Sequence, residues 1–141
     1  MRLVLLSSYV RWHGGEVVFA ELAERLALRG HDVTLVCRRD SELARCAGVL
    51  GARSRVRRVE ARLRGEGDPR SHLEVARALR AARADALLTN LSRDLKFGAL
   101  AARLLGIPHV HRFAQVPDPA VQVSDAAPHV PQPAAQGPDP T

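Results

Sequence analysis

Two adjacent glycines, Gly14 and Gly15, stand between a short apolar run and a segment of helical periodicity. Glycine lets the backbone approach a ligand closely, and free N–H groups at a helix N-terminus favour a phosphate. An isolated pair of glycines is also a common way to shape a turn. The spacing fits neither GxGxxG nor GxxxxGK[ST], so the sequence disfavours a dinucleotide-binding domain and a P-loop ATPase.

The residues before the glycines, Trp12 and His13, could take part in the same site. The Trp12 indole could stack on a sugar ring, and His13 could form a hydrogen bond with a hydroxyl or a phosphate. Alternatively, Trp12 packs on a neighbouring helix and His13 lies in solvent. The sequence favours the two interpretations equally.

A second group of polar residues, Asn90, Ser92, Arg93 and Asp94, follows a later apolar run and precedes another helical segment. Ser92 is predicted to cap this helix. Arg93 could bind an anion and Asp94 could accept hydrogen bonds from hydroxyls, although a solvated pair is the more common role for such residues. His109 and His111, two apart on a predicted strand, share one face and are expected to be packed imidazoles rather than ligands.

Neither the cysteines nor the histidines have the spacing of a metal site. Cys37 and Cys46 form no CxxC motif, and the six histidines show no HExxH motif. We therefore predict no metal, no cofactor and no disulfide framework. Because no apolar run approaches the roughly 20 residues that span a bilayer, and the N-terminus lacks a signal-peptide pattern, the sequence predicts a cytoplasmic protein.

The formal charge of +6, from 21 basic and 15 acidic residues, is unevenly distributed along the chain. Residues 115–141 contain seven of the nine prolines and no Lys or Arg, which predicts a disordered tail after one domain at residues 1–114. The arginine-rich run at residues 53–64 could contact nucleic acid. No aromatic residue interleaves it, and charges are also typical of an edge strand, so we favour a structural role and expect no nucleic-acid partner.

Apolar runs alternate with helical periodicity over residues 1–114. The predicted strands are residues 2–6, 32–37, 54–63, 85–90 and 108–113, and the predicted helices are residues 16–29, 41–49, 69–83 and 92–105. This alternation predicts an α/β fold, a Rossmann-like doubly wound parallel sheet of five strands in the order 3-2-1-4-5. In that order residues 7–15 and 90–96 flank the switch point and line one crevice.

The same residues resemble a known family. The opening RLVLLSSYVRWHGGEVVFAELAERLALRGHDVTLVCR is similar to the N-terminal domain of glycosyltransferase family 4, with Gly30-His31-Asp32-Val33-Thr34-Leu35 as the family's GH-x-V-T-[LV] strand. The later stretch LLTNLSRDLKFGALAARLLGIPHVHR resembles the family's fourth strand, helix and fifth strand. The resemblance covers residues 1–113, with the middle matching in organisation only.

The resemblance implies a two-domain GT-B enzyme that transfers a sugar, with retention and without a catalytic metal, from a nucleotide-sugar donor to a glycan or lipid-linked acceptor. It matches Gly14 and Gly15 to glycines near the donor diphosphate, with His13 beside them. Asn90 stands where family members often have His. The first domain would bind the acceptor, and a second domain the donor.

The resemblance ends at the first domain, so we expect a truncated chain that is inactive alone. An exposed edge on strand five would favour self-association, and an acceptor in a lipid would bring the chain to the inner face of a membrane as a peripheral protein. Two other functions stay open at this point: a non-catalytic module that binds a phosphate or a sugar, and an arginine-driven nucleic-acid binder.

Overall fold

The computed structural model describes residues 1–11, 14–45 and 56–112. Five strands are present: β1 (Arg2–Ser7), β2 (Asp32–Arg38), β3 (Val56–Ala61), β4 (Ala86–Thr89) and β5 (His109–His111). Three helices lie between them: α1 (Gly14–Leu28), α2 (Pro69–Ala81) and α3 (Ser92–Leu105). Residues 42–45 are helical as well, and residues 46–49 of the helix predicted at 41–49 lie outside the described residues.

The strands form one parallel sheet in the order β3-β2-β1-β4-β5, which confirms the predicted doubly wound fold. The central strand β1 pairs with β2 from Arg2↔Asp32 onward and with β4 from Leu3↔Ala86 onward. The connections between these parallel strands are long, as parallel pairing requires. Three of them contain α1, α2 or α3, and the connection from β2 to β3 includes residues outside the described part. The short strand β5 pairs with β4 from Leu87↔His109 to Thr89↔His111.

Helices cover both faces of the sheet, and alternate residues of β1 enter the two cores. Val4 and Leu6 point to the face covered by α2 and α3, where Leu79 and Phe97 are fully buried. Leu3 and Leu5 point to the opposite face. There they pack with residues of α1 (Phe19, Ala20 and Ala23). Because both faces are covered, the residues of β1 and β2 after the first are buried in an almost continuous run rather than in alternation.

The local sequence explains where the helices begin and end. Asp68 caps α2 by accepting a hydrogen bond from the Arg70 N–H, and Pro69 occupies the first helical position. Gly106 ends α3 in the left-handed region, with φ 66°. Within α3, Gly98 lies directly on β4: a Cβ atom there would stand 2.8 Å from Thr89 Cγ2 and 2.9 Å from Leu87 Cδ2. The glycine therefore sets how closely α3 approaches the sheet.

Candidate functional site

The carboxyl ends of β1 and β4 form the switch point of the sheet. These two strands are neighbours, but α1 follows β1 on one face and α3 lies on the other. The chain therefore diverges above the β1–β4 pair, which is where ligands bind in open α/β sheets. Buried polar residues collect there: Ser7, Ser8, Glu16, Thr89, Asn90 and Asp94.

Asn90, which follows β4, joins α1 to the end of β5. Its Nδ2 donates a hydrogen bond to Glu16 Oε1 at 3.2 Å, and its Oδ1 accepts one from Arg112 Nη1 at 2.8 Å. Glu16 and Asn90 are both almost completely buried. Gly15 lies beside Asn90, since a Cβ atom there would make van der Waals contact with Asn90 Nδ2 at 3.4 Å. The first turn of α1 is thus packed against the side chain at the end of β4.

Asp94, in the first turn of α3, is fully buried and holds the end of β1. Its Oδ1 accepts a hydrogen bond from the Ser8 N–H at 2.8 Å, and its Oδ2 accepts one from the Leu91 N–H at 3.1 Å. Burial raises the pKa of Asp94 to about 6, although hydrogen bonds from Ser8 and Leu91 and the charge of Arg93 favour the ionised form. One carboxylate therefore connects the loop after β1 with the start of α3.

Thr89 ties β5 to the site through two histidines. Its hydroxyl lies 2.9 Å from His109 Nε2 and 2.8 Å from His111 Nδ1, so it can donate to one ring and accept from the other. Burial, and then the neighbouring His111, lower the pKa of His109. The imidazoles are thus packed within the sheet, as the sequence predicts. Across the described ranges, no three His, Cys, Asp or Glu side chains are placed to hold a metal ion.

The profile of Glycosyltransferase Family 4 matches residues 12–113, more than half of the chain. This chain belongs to glycosyltransferase family 4. The described parallel sheet, with its switch point between β1 and β4, is therefore that of a glycosyltransferase N-terminal domain, as the sequence predicts. A comparison with curated proteins gives no match.

Solved glycosyltransferase structures share the fold. MurG from Acinetobacter baumannii superposes with a TM-score of 0.61 at 16% identity, over 77% of this chain and 33% of its own. HepE from Anabaena, solved with UDP and glucose, gives 0.62 at 16% identity over 82% and 30%. A glycosyltransferase from Rickettsia africae gives 0.59 at 15% identity over 82% and 31%. The family 4 chain thus spans about a third of the length of these structures.

Of the predicted site residues of this family 4 domain, the structure places Gly15 beside Asn90, and Asp94 against the backbone of Ser8 and Leu91. Gly14 begins α1 and is exposed, and a Cβ atom there would meet nothing within 4 Å. Arg93 is half-buried beside Asp94. Trp12 and His13 lie outside the described residues. Their stacking and hydrogen-bonding roles therefore stay predictions.

Two expectations for the start of α3 are wrong. The cap residue is Leu91 rather than Ser92, which is exposed at the first helical position; the Leu91 N–H donates instead to Asp94. Asp94 is not a solvated surface residue, because its carboxylate is turned inward to reach the Ser8 N–H. The sequence could not reveal this, since the partner of Asp94 lies 86 residues earlier in the chain.

The residues that sequence reasoning missed are Ser7, Glu16 and Thr89, and it did not foresee the contact of Arg112 with Asn90. Glu16 has the sequence context of an exposed acid in the first turn of a helix, where it also suits the helix dipole. Arg112 follows β5 and reaches Asn90 only because β5 pairs with β4. Ser7 could have been suspected, since it ends the central strand; its buried Oγ has no hydrogen-bond partner among the described residues.

Proposed function

We propose that this chain is the acceptor-binding half of a family 4 glycosyltransferase, which transfers a sugar from a nucleotide-sugar donor to a glycan or lipid-linked acceptor. The observation that carries the proposal is the family match over residues 12–113, combined with a buried polar cluster at the switch point. Asn90 and Asp94 would shape the acceptor crevice. The nucleotide sugar is the donor substrate, and we propose no cofactor.

The start of α1 suits the approach of a donor diphosphate from a second domain. The first N–H groups of a helix have no partner within the helix and carry the positive end of its dipole. Gly14 is exposed there, and the backbone of Gly15 lies beside Asn90. HepE was solved with UDP, with UDP-glucose, and with UDP and glucose. By analogy we propose a nucleotide-sugar donor for the intact enzyme here.

The chain spans about a third of the length of the solved glycosyltransferases that it matches, so sugar transfer is proposed for the intact enzyme. Within the described residues, no helix is long and apolar enough to cross a membrane. We propose that the intact enzyme acts in the cytoplasm and meets a lipid-linked acceptor as a peripheral protein at the inner face of the membrane.

Amide chemical-shift mapping of the isotope-labelled chain tests the proposed function. The chain is titrated separately with UDP-glucose, neutral oligosaccharides, a polyprenyl phosphate in micelles and a DNA duplex. We expect acceptor probes to shift the amides of Gly15, Asn90 and Asp94, with no turnover of UDP-glucose by the chain alone. The proposal is overturned if none of the glycan and lipid probes shifts these amides. It is also overturned if the DNA duplex is the one probe that binds and its binding depends strongly on salt.

A further inference from the structure

A groove of about 530 Å³ lies at the carboxyl end of β3, away from the β1–β4 switch point. It is formed where β3 runs into the start of α2. Its lining contains three arginines, two acids and a glycine: Arg62, Arg64, Arg70, Asp68, Glu74 and Gly65. The three arginines are exposed, so their guanidinium groups are open to a ligand.

The two carboxylates of the groove are already engaged by other donors. Asp68 accepts hydrogen bonds from the Arg70 N–H at 3.1 Å and from Ser71 Oγ at 2.8 Å. Glu74 accepts one from the Arg62 N–H. None of the four ion pairs formed among the described residues includes Arg62, Arg64 or Arg70. None of these three guanidinium groups therefore forms an ion pair among the described residues, although the charge of Arg70 still favours the ionised form of the nearby Asp68 carboxylate.

The backbone that carries Arg62 and Arg64 is held in place by Ser71. Its buried hydroxyl accepts a hydrogen bond from the Arg64 N–H at 3.1 Å and lies 3.2 Å from the Arg62 carbonyl oxygen. Leu63, between the two arginines, is buried in the core below. Because neighbouring residues of an extended segment point in opposite directions, burial of Leu63 turns Arg62 and Arg64 outward together.

Protection of the sheet edge does not explain these arginines. The pairing of β3 with β2 ends at Arg38↔Ala61, so Arg62 and Arg64 lie beyond the ladder, in contrast to Arg57 and Arg58 within it. Arg70 occupies the first turn of α2, where the positive end of the helix dipole disfavours a cation. The groove therefore carries three arginines against two carboxylates, a net excess of positive charge beside the start of α2.

A second groove of about 340 Å³ continues the first along the carboxyl end of β2. It shares Arg62 and Arg64 with the first groove and adds Arg38 and Arg39. Arg38 is paired with Asp40, whereas Arg39 is exposed and belongs to none of the four ion pairs. The two grooves share part of their lining and together form a trough in which five arginines outnumber three acids, Asp40, Asp68 and Glu74.

We propose that this trough binds a phosphate or diphosphate group through Arg62, Arg64 and Arg70. Planar guanidinium groups donate paired hydrogen bonds that match phosphate oxygens. No aromatic side chain among the described residues lines either groove, so this part of the chain offers the trough no stacking platform of the kind found in a single-stranded nucleic-acid site. If the bound phosphate belongs to the sugar acceptor, that assignment rests on the proposed function. The phosphate site itself does not rest on it.

The test compares the full chain with two triple variants. Arg62→Ala, Arg64→Ala and Arg70→Ala are combined in the trough variant. Arg25→Ala, Arg80→Ala and Arg103→Ala, three exposed arginines in the last turns of the helices, form a control that loses the same charge. Because all six side chains are exposed, both variants are expected to fold, which a thermal melt by circular dichroism verifies.

The probes are pyrophosphate and glycerol 3-phosphate in calorimetry, and phosphatidylcholine vesicles with or without phosphatidic acid in sedimentation. We expect wild type and control to bind at least one probe, and the trough variant to bind it at least about tenfold more weakly. Binding of the soluble phosphates indicates a free phosphorylated ligand, and binding of phosphatidic acid vesicles alone indicates a lipid headgroup.

The proposal is wrong if no probe binds at millimolar concentration, if both triple variants lose the same affinity, or if duplex RNA binds to the trough far more tightly than any phosphate probe. The outcome is separable from that of the proposed function. If the phosphate probes bind at the trough but no acceptor probe shifts the amides of Gly15 and Asn90, the phosphate site stands and the proposed acceptor-binding function fails. The reverse result would remove only the phosphate site.

Discussion

The buried carboxylate of Asp94 accepts a hydrogen bond from the backbone N–H of Ser8 at 2.8 Å, across 86 residues of sequence. The bond joins the end of the central strand to the first turn of α3, on the two sides of the switch point. Asp94 also accepts from the Leu91 N–H and so organises the start of its own helix. Its protonation state is therefore coupled to the geometry of the candidate site.

Asp94 should make the stability of the domain depend on pH. Burial raises its pKa from 3.8 to about 6, so the folded state holds the proton more tightly than the unfolded state does. The resulting stabilisation is complete below about pH 4 and is lost as the pH rises through about 6. Since one pKa unit corresponds to about 1.36 kcal/mol, the loss is on the order of 2–3 kcal/mol.

Urea unfolding of wild type and Asp94→Asn at a series of pH values measures this effect. The amide keeps only one of the two hydrogen bonds at every pH, and other carboxylates cancel in the comparison. The free energy of unfolding of wild type should therefore fall relative to that of the variant between about pH 4 and about pH 7. A difference that stays constant with pH would contradict the raised pKa.

Asn90→Ala should destabilise the domain by about 1–3 kcal/mol, because it removes the donor to the buried Glu16 carboxylate and the acceptor of Arg112. Chemical denaturation measures the change. Ser92→Ala is the control, since Ser92 is exposed and the substitution should stay within about 0.5 kcal/mol of wild type. Equal effects of the two substitutions would show that the Asn90 contacts contribute nothing to stability.

Gly98→Ala should destabilise the domain, although alanine is the better helix former. The added Cβ would meet Thr89 Cγ2 at 2.8 Å, and overpacking costs about 1–3 kcal/mol against a gain in helix propensity of about 1 kcal/mol. A net loss of up to about 2 kcal/mol is expected in thermal unfolding. Gly67→Ala, where the Cβ meets nothing within 4 Å, should be close to neutral. A stabilised Gly98→Ala variant would refute the close approach of α3 to β4.

The β5 edge should promote self-association. Among the described residues β5 pairs only with β4, and Val110 on this strand is 56% exposed. A lysine blunts such an edge, so Val110→Lys should shift the elution of the chain toward the monomer in size-exclusion chromatography. Leu28→Lys, which changes an exposed leucine at the end of α1, should leave the elution unchanged. A wild-type monomer at all concentrations would exclude association through β5.

Most of the fold could be predicted because its signals are local. The apolar runs that became β1 and β2 cannot be exposed, and Asp68-Pro69 and Gly106 mark helix ends by their backbone preferences. The strand order followed from the handedness of crossovers. The main local error was to predict Ser92 as the N-cap of α3. Serine has the residue preference of an N-cap, but here the Asp94 carboxylate accepts the hydrogen bond from the Leu91 N–H, and the helix begins one residue earlier than the prediction implies.

The candidate site was predictable in place but not in contacts. Sequence patterns put Gly15, Asn90 and Asp94 at the carboxyl edge of a parallel sheet, because strand ends and helix starts have recognisable residues. Only the tertiary structure paired Asp94 with Ser8, Asn90 with Glu16 and Arg112, and Arg62 with Arg64 and Arg70 in one groove. Those pairings depend on the packing distance between elements far apart in the chain, and residue type and spacing carry no measure of that distance.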